Sequence, residues 1–236
     1  MKKKSKPQRS KQMNYFEQDS DETFYYIAGH TSAGVPYGTS WGEIVSQELK
    51  IRLAVKKDSK KVAGLIYLAI GDIAEQLTGQ TKTEHIHETL AFFFREKNNR
   101  LSFQNTIIAY VLDEVVGTII SYPGDDAPVL DEPILHRLRK KRRNQEICFD
   151  KEADPGDYYI DTICVSPKFQ GYGIGTTLIK EAEKEARQIG YSRVSLNVAH
   201  DNPTAKGLYK KLGYIEEKII QINGHDYDYM VRVIEE

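Results

Sequence analysis

The chain has 236 residues, enough for one domain of ordinary size plus an extension, and its 40% hydrophobic content is sufficient to build a core. Its 33 basic and 34 acidic residues nearly cancel, so the composition does not favour nucleic acid or another polyanion as a partner. The apolar runs are too short to cross a membrane, and no apolar signal-peptide core follows the basic residues 2–4. With two cysteines and no C-x-x-C spacing, we expect a soluble cytoplasmic protein without a disulfide framework or a metal site.

The N-terminal part of the chain differs in character from the rest. Residues 1 to about 20 are polar and rich in Lys, Gln and Ser, and we expect them to be poorly ordered. Residues 23–42 are instead rich in glycine and aromatic side chains. We expect residues 1–48 to form an extension whose aromatic segment packs as an accessory element, with Trp41 as an anchor, or else mediates self-association or partner docking.

A domain is predicted to begin at residue 49. The alternating pattern of residues 49–55 predicts a first strand. Helical spacing then predicts one helix over residues 58–79 and another over residues 83–97. Two strands follow at residues 104–112 and 115–121, joined by a short turn.

The regular pattern breaks over residues 122–157, which we interpret as an insertion. It begins with a loop at residues 122–128, and a short helix predicted at residues 133–143 ends in a run of Arg and Lys. This basic cluster could contact RNA or an acidic substrate, and the alternatives are a solvated helix face or local attraction to a cofactor phosphate. Because no aromatic residues interleave with the charges, a nucleic-acid partner is not expected.

A glycine-rich turn follows the next predicted strand, residues 158–165, and precedes a helical pattern that runs from Ile174 to Ile189. Its sequence is Gln170-Gly171-Tyr172-Gly173-Ile174-Gly175-Thr176. Glycine permits positive φ and a close approach to the main chain, and N–H groups at a helix start lack intrahelical partners. The turn is therefore a candidate phosphate site. It fits neither the G-x-G-x-x-G fingerprint nor a P-loop, since Thr176 replaces the third glycine and no Lys follows Gly175.

A second motif spans residues 202–214 and follows a strand-like run at residues 194–199. It matches the pattern N-x-x-A-x-x-x-Y-x-x-x-G-[FY] at Asn202, Ala205, Tyr209, Gly213 and Tyr214. Asn202 suits a helix N-cap, and Gly213 suits the residue just past the helix end. Two further strand-like runs flank Asn223-Gly224, which predicts a closing hairpin.

The two motifs together resemble those of the GCN5-related N-acetyltransferase (GNAT) superfamily. The first match is the Q-x-x-G-x-G pattern of Gln170, Gly173 and Gly175, and the second is the motif at residues 202–214. The resemblance implies an α/β fold, the acyl-CoA N-acyltransferase fold, with a mixed central sheet flanked by helices over residues 49–236. It also implies that the helix pair of residues 58–97 forms one wall of the acceptor pocket, which we expect the insertion to cover.

The resemblance further implies acetyl-CoA as co-substrate and a primary amine of a small molecule or peptide as acceptor. The turn of residues 170–176 would bind the pyrophosphate, and the main chain of Cys164 and Val165 would bind pantetheine, with the Val165 N–H polarising the thioester carbonyl. Asn202 would contact the pantetheine arm, or only cap its helix. Tyr209 would protonate the departing thiolate, or only pack on its helix face.

Direct attack on the thioester requires a neutral amine, so a group or a water chain must take its proton. Asp161 stands four residues before Val165 on the same strand face and is the first candidate. A structural hydrogen bond is the alternative role for Asp161, and Tyr159 occupies another strand position where such a residue could stand. A non-catalytic acyl-CoA-binding regulatory module is the rival function. The sequence leaves the acceptor, the acyl length and a homodimer open.

Overall fold

The computed structural model describes residues 20–142 and 146–234. The prediction that residues 1 to about 20 are poorly ordered concerns a segment outside these ranges, and Arg143 of the basic cluster also lies outside them. The chain divides into two compact units, which separate between residues 48 and 49.

The first unit contains regular structure that the sequence did not predict. Its strands β1 (Phe24–His30) and β2 (Pro36–Ser40) form an antiparallel hairpin, and α1 (Trp41–Glu48) follows directly. Trp41 is buried, packs edge-on against Tyr25 and donates its indole N–H to the carbonyl of Asp21 at 3.0 Å. The indole therefore ties the helix start to the segment that precedes the hairpin.

The second unit is built on a seven-stranded mixed sheet with the order β3-β4-β5-β6-β7-β9-β8. Only the pair β6 and β7 is parallel, and every other neighbouring pair is antiparallel. The strands are β3 (Lys50–Leu53), β4 (Thr106–Val111), β5 (Glu114–Pro123), β6 (Tyr158–Val165), β7 (Arg193–Ala199), β8 (Ile215–Ile222) and β9 (His225–Val233). The helices are α2 (Ser59–Ile70), α3 (Ile73–Thr78), α4 (Thr83–Arg95), α5 (Ala127–Lys141), α6 (Ile174–Gln188) and α7 (Pro203–Lys211). The mixed α/β architecture predicted from the motifs is confirmed.

Helices cover both faces of this sheet. On one face α2 and α4 bury apolar side chains such as Val62, Ile66 and Phe94 against Ile108 and Ile120. On the other face α6 packs closely on β5. A Cβ added at Gly117 would lie 3.1 Å from Leu178 and 3.2 Å from Ile174, so the absence of a side chain lets the helix approach.

One helix prediction and one loop prediction were wrong. The helix predicted over residues 58–79 is interrupted at Gly71, whose positive φ of 53° ends α2 before α3 begins at Ile73. The loop predicted at residues 122–128 is largely regular structure. The strand β5 extends to Pro123, and α5 begins at Ala127 with Pro128 in its first turn, where a missing N–H costs nothing.

Candidate active site

A cleft opens where the two parallel strands of the sheet separate. The pairing of β6 with β7 ends at Ile160 and Leu196. Beyond this point a cavity of about 260 Å³ lies between residues 160–163 of β6 and residues 196–199 of β7. The helices α2 and α3, which both lie within the first predicted helix, contribute to one wall, whereas α4 of the expected helix pair contributes no lining residue. The helix α7 contributes Asn202, Ala205 and Tyr209. We call this cavity the cleft.

A β-bulge in β6 accompanies the separation of the strands. In the pairing with β5, Ile120 faces Thr162 and Ser121 faces Ile160, so Asp161 is the extra residue. Bulges bend the strand that carries them and increase its twist. The bulge therefore bends β6 at the point where its pairing with β7 stops.

After the bulge, the main chain of β6 directs N–H groups towards the side where β7 has separated from it. Ser166 donates its N–H to the carbonyl of Val116 on β5 at 2.8 Å. Because N–H directions alternate along an antiparallel pair, the N–H groups of Ile163 and Val165 point away from β5 and towards β7. Val165 thus has the N–H direction that its predicted role requires, although its side chain does not line the cleft. Ile163, which the sequence analysis did not single out, lines the cleft and offers a second N–H.

The glycine turn after β6 leaves backbone donors unpaired within the helix that follows it. Gly171 and Gly173 have positive φ values of 84° and 79°, and α6 begins at Ile174. The bond from Thr177 N–H to the carbonyl of Gly173, at 3.0 Å, belongs to the first turn of α6. The N–H groups of Ile174, Gly175 and Thr176 therefore have no partner inside the helix and lie at its positive end.

The side chains of the turn divide between solvent and core. Gln170, Gly171, Tyr172 and Gly173 are exposed, Gly175 and Thr176 are half-buried, and Ile174 is buried as an anchor. Gln170 turns back and donates its amide to the carbonyl of Val165 at 3.1 Å. This bond connects the turn to the end of β6.

Cys164 does not have the environment of a nucleophile. Its side chain is buried, and burial raises the pKa of the thiol to about 11. The thiol is therefore protonated at neutral pH, whereas the thiolate is the reactive form. Only the main chain of Cys164 is left for the role that the resemblance implies.

Asn202 and Tyr209 lie together on the α7 side of the cleft. The Asn202 side-chain oxygen accepts the N–H of Ala205 at 3.1 Å, which is the N-cap that the sequence predicted. Asn202 also lines the cleft. The Tyr209 ring is buried, and burial raises the pKa of its phenol to about 12. At neutral pH Tyr209 is therefore protonated and able to donate.

Asp161 lies in the opposite wall and is held by three donors. Its Oδ2 accepts from Arg100 Nε at 2.8 Å and from the Tyr122 hydroxyl at 2.6 Å. Its Oδ1 accepts from the Thr162 hydroxyl at 2.9 Å. The carboxylate is thus fixed in the wall of the cleft, and it has the structural hydrogen bonds that the sequence analysis named as the alternative to catalysis.

Arg100 is the centre of a buried ionic cluster. Its side chain is 4% exposed and contacts Asp161, Glu152 and Asp131, the last at 3.3 Å. Glu152 makes a bidentate pair with the guanidinium, at 2.7 and 3.0 Å. Burial alone would lower the pKa of Arg100, but the carboxylates of Asp161 and Glu152 raise it well above its ordinary value. We call these four residues the Arg100 cluster.

The Arg100 cluster continues into a hydrogen-bond chain along the cleft. The Tyr159 hydroxyl donates to Glu152 Oε2 at 2.9 Å and accepts from Asn197 Nδ2 at 2.9 Å. Burial and the nearby Glu152 raise the pKa of Tyr159 well above its ordinary value, so this hydroxyl is protonated. Tyr159, Glu152 and Asn197 all line the cleft.

A second cavity, of about 450 Å³, lies under the insertion. It is lined mainly by α5 and residues 148–155, and it shares Arg100 and Glu152 with the cleft. Five of its lining side chains are carboxylic acids: Asp125, Asp131, Glu132, Asp150 and Glu152. We call it the acidic cavity.

The basic cluster of the insertion makes local contacts where it is described. Arg137 lies over the ring of Phe92, 5.4 Å from its centroid, and Arg139 pairs with Glu132 at 2.8 Å. Over the described ranges, no group of three or more His, Cys, Asp and Glu side chains is arranged to hold a metal ion. Within the same ranges, no helix has the length and apolar character needed to cross a membrane.

The structure thus brings Asp161, Asn202 and Tyr209 to one cleft, and leaves the glycine turn and Cys164 outside its lining. Sequence reasoning missed Arg100, Glu152 and Asn197. Arg100 follows a predicted helix as an isolated charge, and Glu152 lies in a segment without periodicity. No local pattern marked either residue.

Known proteins resemble this chain in both sequence and fold. Residues 69–214 match the Acetyltransferase (GNAT) family. The chain is 40% identical over 62 residues to an uncharacterized N-acetyltransferase of Methanocaldococcus jannaschii. This match covers 26% of this chain and 27% of that protein. It is 34% identical over 74 residues to a Bacillus subtilis protein named for alanine N-acetylation of ribosomal protein bS18. This match covers 30% of this chain and 49% of that protein. A crystal structure of an acetyltransferase is similar with a TM-score of 0.67 at 30% identity, over 79% of this chain and 100% of that one. The matches to the curated relatives therefore span only about a quarter to a half of their lengths.

Proposed function

Because this chain belongs to the acetyltransferase (GNAT) family, we propose that it transfers the acetyl group of acetyl-CoA to a primary amine of a small molecule or a peptide. The observation that carries this proposal is the cleft between β6 and β7, with the buried phenol of Tyr209 in one wall and the Arg100 cluster in the other. We propose residues 49–236 as the catalytic domain and residues 1–48 as an extension.

We propose that acetyl-CoA binds along the end of β6. The N–H groups at the start of α6 suit the pyrophosphate, because they are unpaired within the helix and lie at the positive end of its dipole. The cleft-facing N–H groups of Ile163 and Val165 suit the pantetheine arm and the thioester carbonyl. Asn202 can serve its helix and the cofactor together, since its oxygen caps α7 while its amide nitrogen can donate.

In the proposed reaction the amine nitrogen attacks the thioester carbon directly, and the C–S bond breaks as the N–C bond forms. The proton of the incoming ammonium passes to the carboxylate pair of Asp161 and Glu152, which Arg100 bridges. The departing thiolate of CoA takes the phenolic proton of Tyr209, and the second proton that the nitrogen loses on becoming an amide restores the phenol through solvent. Burial suits Tyr209 to this role, because it disfavours the phenolate at neutral pH until a strong base forms beside it.

We also propose a cytoplasmic location, consistent with the two cysteines, which are both free thiols. The second candidate function is a regulatory module that binds acyl-CoA without turnover. The two functions differ in the role of Tyr209, because an enzyme uses its phenolic proton and a binding module does not need it.

The test compares the unmodified protein with Tyr209→Phe in an assay of amine-dependent thiol release from acetyl-CoA. We expect kcat to fall at least tenfold, about 1.4 kcal/mol of transition-state stabilisation, with little change in CoA affinity. Tyr110→Phe is the matched control, because it removes a hydroxyl from a half-buried tyrosine that does not line the cleft. Equal kcat in all three proteins would exclude Tyr209 as the proton donor, whereas CoA binding without turnover of any amine would favour the binding module.

A further inference from the structure

The Arg100 cluster is short of positive charge. One guanidinium faces three carboxylates at distances between 2.7 and 3.3 Å, so two negative charges are in excess when all three are ionised. The side chains of Asp131, Glu152 and Asp161 are only 14%, 17% and 6% exposed. Uncompensated charge at such depth is costly, and a cation bound beside the cluster would reduce that cost.

The acidic cavity has the same imbalance and has apolar walls between its charges. Five carboxylic acids line it, against the lining cations Arg100 and Lys151, and Arg139 pairs with Glu132 from outside the lining. Lys151 is turned towards Asp154, with which it pairs at 3.0 Å. Leu135 and Phe149 contribute apolar surface between the acidic side chains. This combination suits an aliphatic chain that carries positive charge at more than one point.

Glu152 lies where the two cavities meet, and an unpaired acceptor lies next to it. Asn197 donates its Nδ2 to the carbonyl of Glu152 at 2.8 Å and to the Tyr159 hydroxyl. With the amide in that orientation, its Oδ1 is buried and has no hydrogen-bond partner in the described part of the chain. A buried acceptor without a donor is costly, so this position calls for a ligand that donates hydrogen bonds. An ammonium group near Glu152 would supply the missing positive charge.

We propose that the acceptor is an aliphatic dication, such as a diamine or a longer polyamine. Its reacting nitrogen binds at Glu152, at the junction with the cleft, and its distal ammonium lies in the acidic cavity near Asp131 and Asp150. This inference rests on the proposed function, and it specifies the substrate class of the same site. A peptide N-terminus or a simple alkylamine lacks the second charge and leaves the acidic cavity uncompensated.

The test is the ratio of kcat/KM values for 1,4-diaminobutane and n-butylamine, which share a carbon chain and differ in the second ammonium. We expect the unmodified protein to prefer the diamine at least tenfold at pH 7.5. Asp131→Asn and Asp150→Asn should each reduce that preference at least threefold, since each removes one negative charge from the acidic cavity. Asp150 is exposed, so its variant tests the inference even if Asp131→Asn folds poorly.

Asp126→Asn is the matched control. Asp126 is exposed, immediately precedes α5 and does not line the acidic cavity, so the same change of charge there should leave the diamine preference unchanged. Equal use of both amines by the unmodified protein would refute the proposal that the acceptor is a dication, but it would leave the acetyltransferase proposal intact. If the preference for the diamine survives in both Asp131→Asn and Asp150→Asn, the proposed position of the distal ammonium in the acidic cavity is wrong. Tight CoA binding with no turnover of either amine, or of a wider amine panel, would contradict the proposed function itself.

Discussion

Asp131 offers a quantitative test of the buried charge imbalance. Burial raises the pKa of its carboxyl from 3.8 to about 6, against the opposing effect of Arg100. In the unfolded chain the carboxyl ionises near its ordinary pKa, so between pH 4 and pH 6 the folded state binds more protons than the unfolded state. Stability must therefore fall as the pH rises through this window.

The size of the effect follows from the shift. A difference of about 2.2 pKa units at 1.36 kcal/mol per unit gives about 3 kcal/mol of stability lost between pH 4 and pH 7. The variant Asp131→Asn keeps an oxygen that can accept from Arg100 Nη1, but it cannot ionise. The unmodified protein should accordingly lose about 3 kcal/mol relative to this variant over the same range.

The measurement is urea unfolding of both proteins at half-unit intervals from pH 4 to pH 7.5, followed by the difference in unfolding free energy. Taking the difference removes the contribution of all other titrating groups that the two proteins share. A difference that stays constant with pH, or a relative gain by the unmodified protein as the pH rises, would refute the argument that the Asp131 carboxyl lies in a buried site that disfavours its charge.

Three further predictions address separate parts of the fold. Arg100→Met should destabilise the protein by about 3–5 kcal/mol at pH 7, because it leaves buried carboxylates without their cation. Arg139→Met, in an exposed pair, should cost under about 1 kcal/mol in the same urea titration. Gly173→Ala should cost about 1–2 kcal/mol by thermal unfolding because its φ is 79°, while Gly207→Ala within α7, with open space around it, should stabilise by up to about 1 kcal/mol. A maleimide at pH 7.5 should label the exposed Cys148 and leave the buried Cys164 unmodified; mass spectrometry of the intact chain would show two adducts if burial of Cys164 were wrong.

Features encoded by neighbouring residues could be predicted from the sequence. The turn at residues 170–176 requires positive φ at Gly171 and Gly173, and the structure has it there. The Asn-Gly pair at residues 223–224 joins β8 to β9 with both residues at positive φ, as the hairpin prediction requires. In each case a steric rule acts within a few residues, and the sequence carries the whole signal.

The Arg100 cluster could not be predicted in this way. Arg100 meets Glu152 across 52 positions and Asp161 across 61, and one of these partners lies in an insertion without periodicity. Charge pairing over such separations leaves no local pattern, because any Asp or Glu is an equally plausible surface residue until the fold is known. Asp161 is predicted to share a strand face with Val165, but it is the extra residue of the bulge and lines the cleft, whereas the Val165 side chain does not. Its three hydrogen-bond donors could not be foreseen for the same reason.

The central claim is that the cleft between β6 and β7 transfers acetyl groups to amines. The most direct measurement incubates the protein with acetyl-CoA and an amine panel that includes diamines, and quantifies acetylated amine and free CoA in the same samples by mass spectrometry. We predict that N-acetylated product and free CoA form in equal amounts and that both fall together in Tyr209→Phe. Release of CoA without acetylated amine, or binding of acetyl-CoA with neither product, would contradict the account.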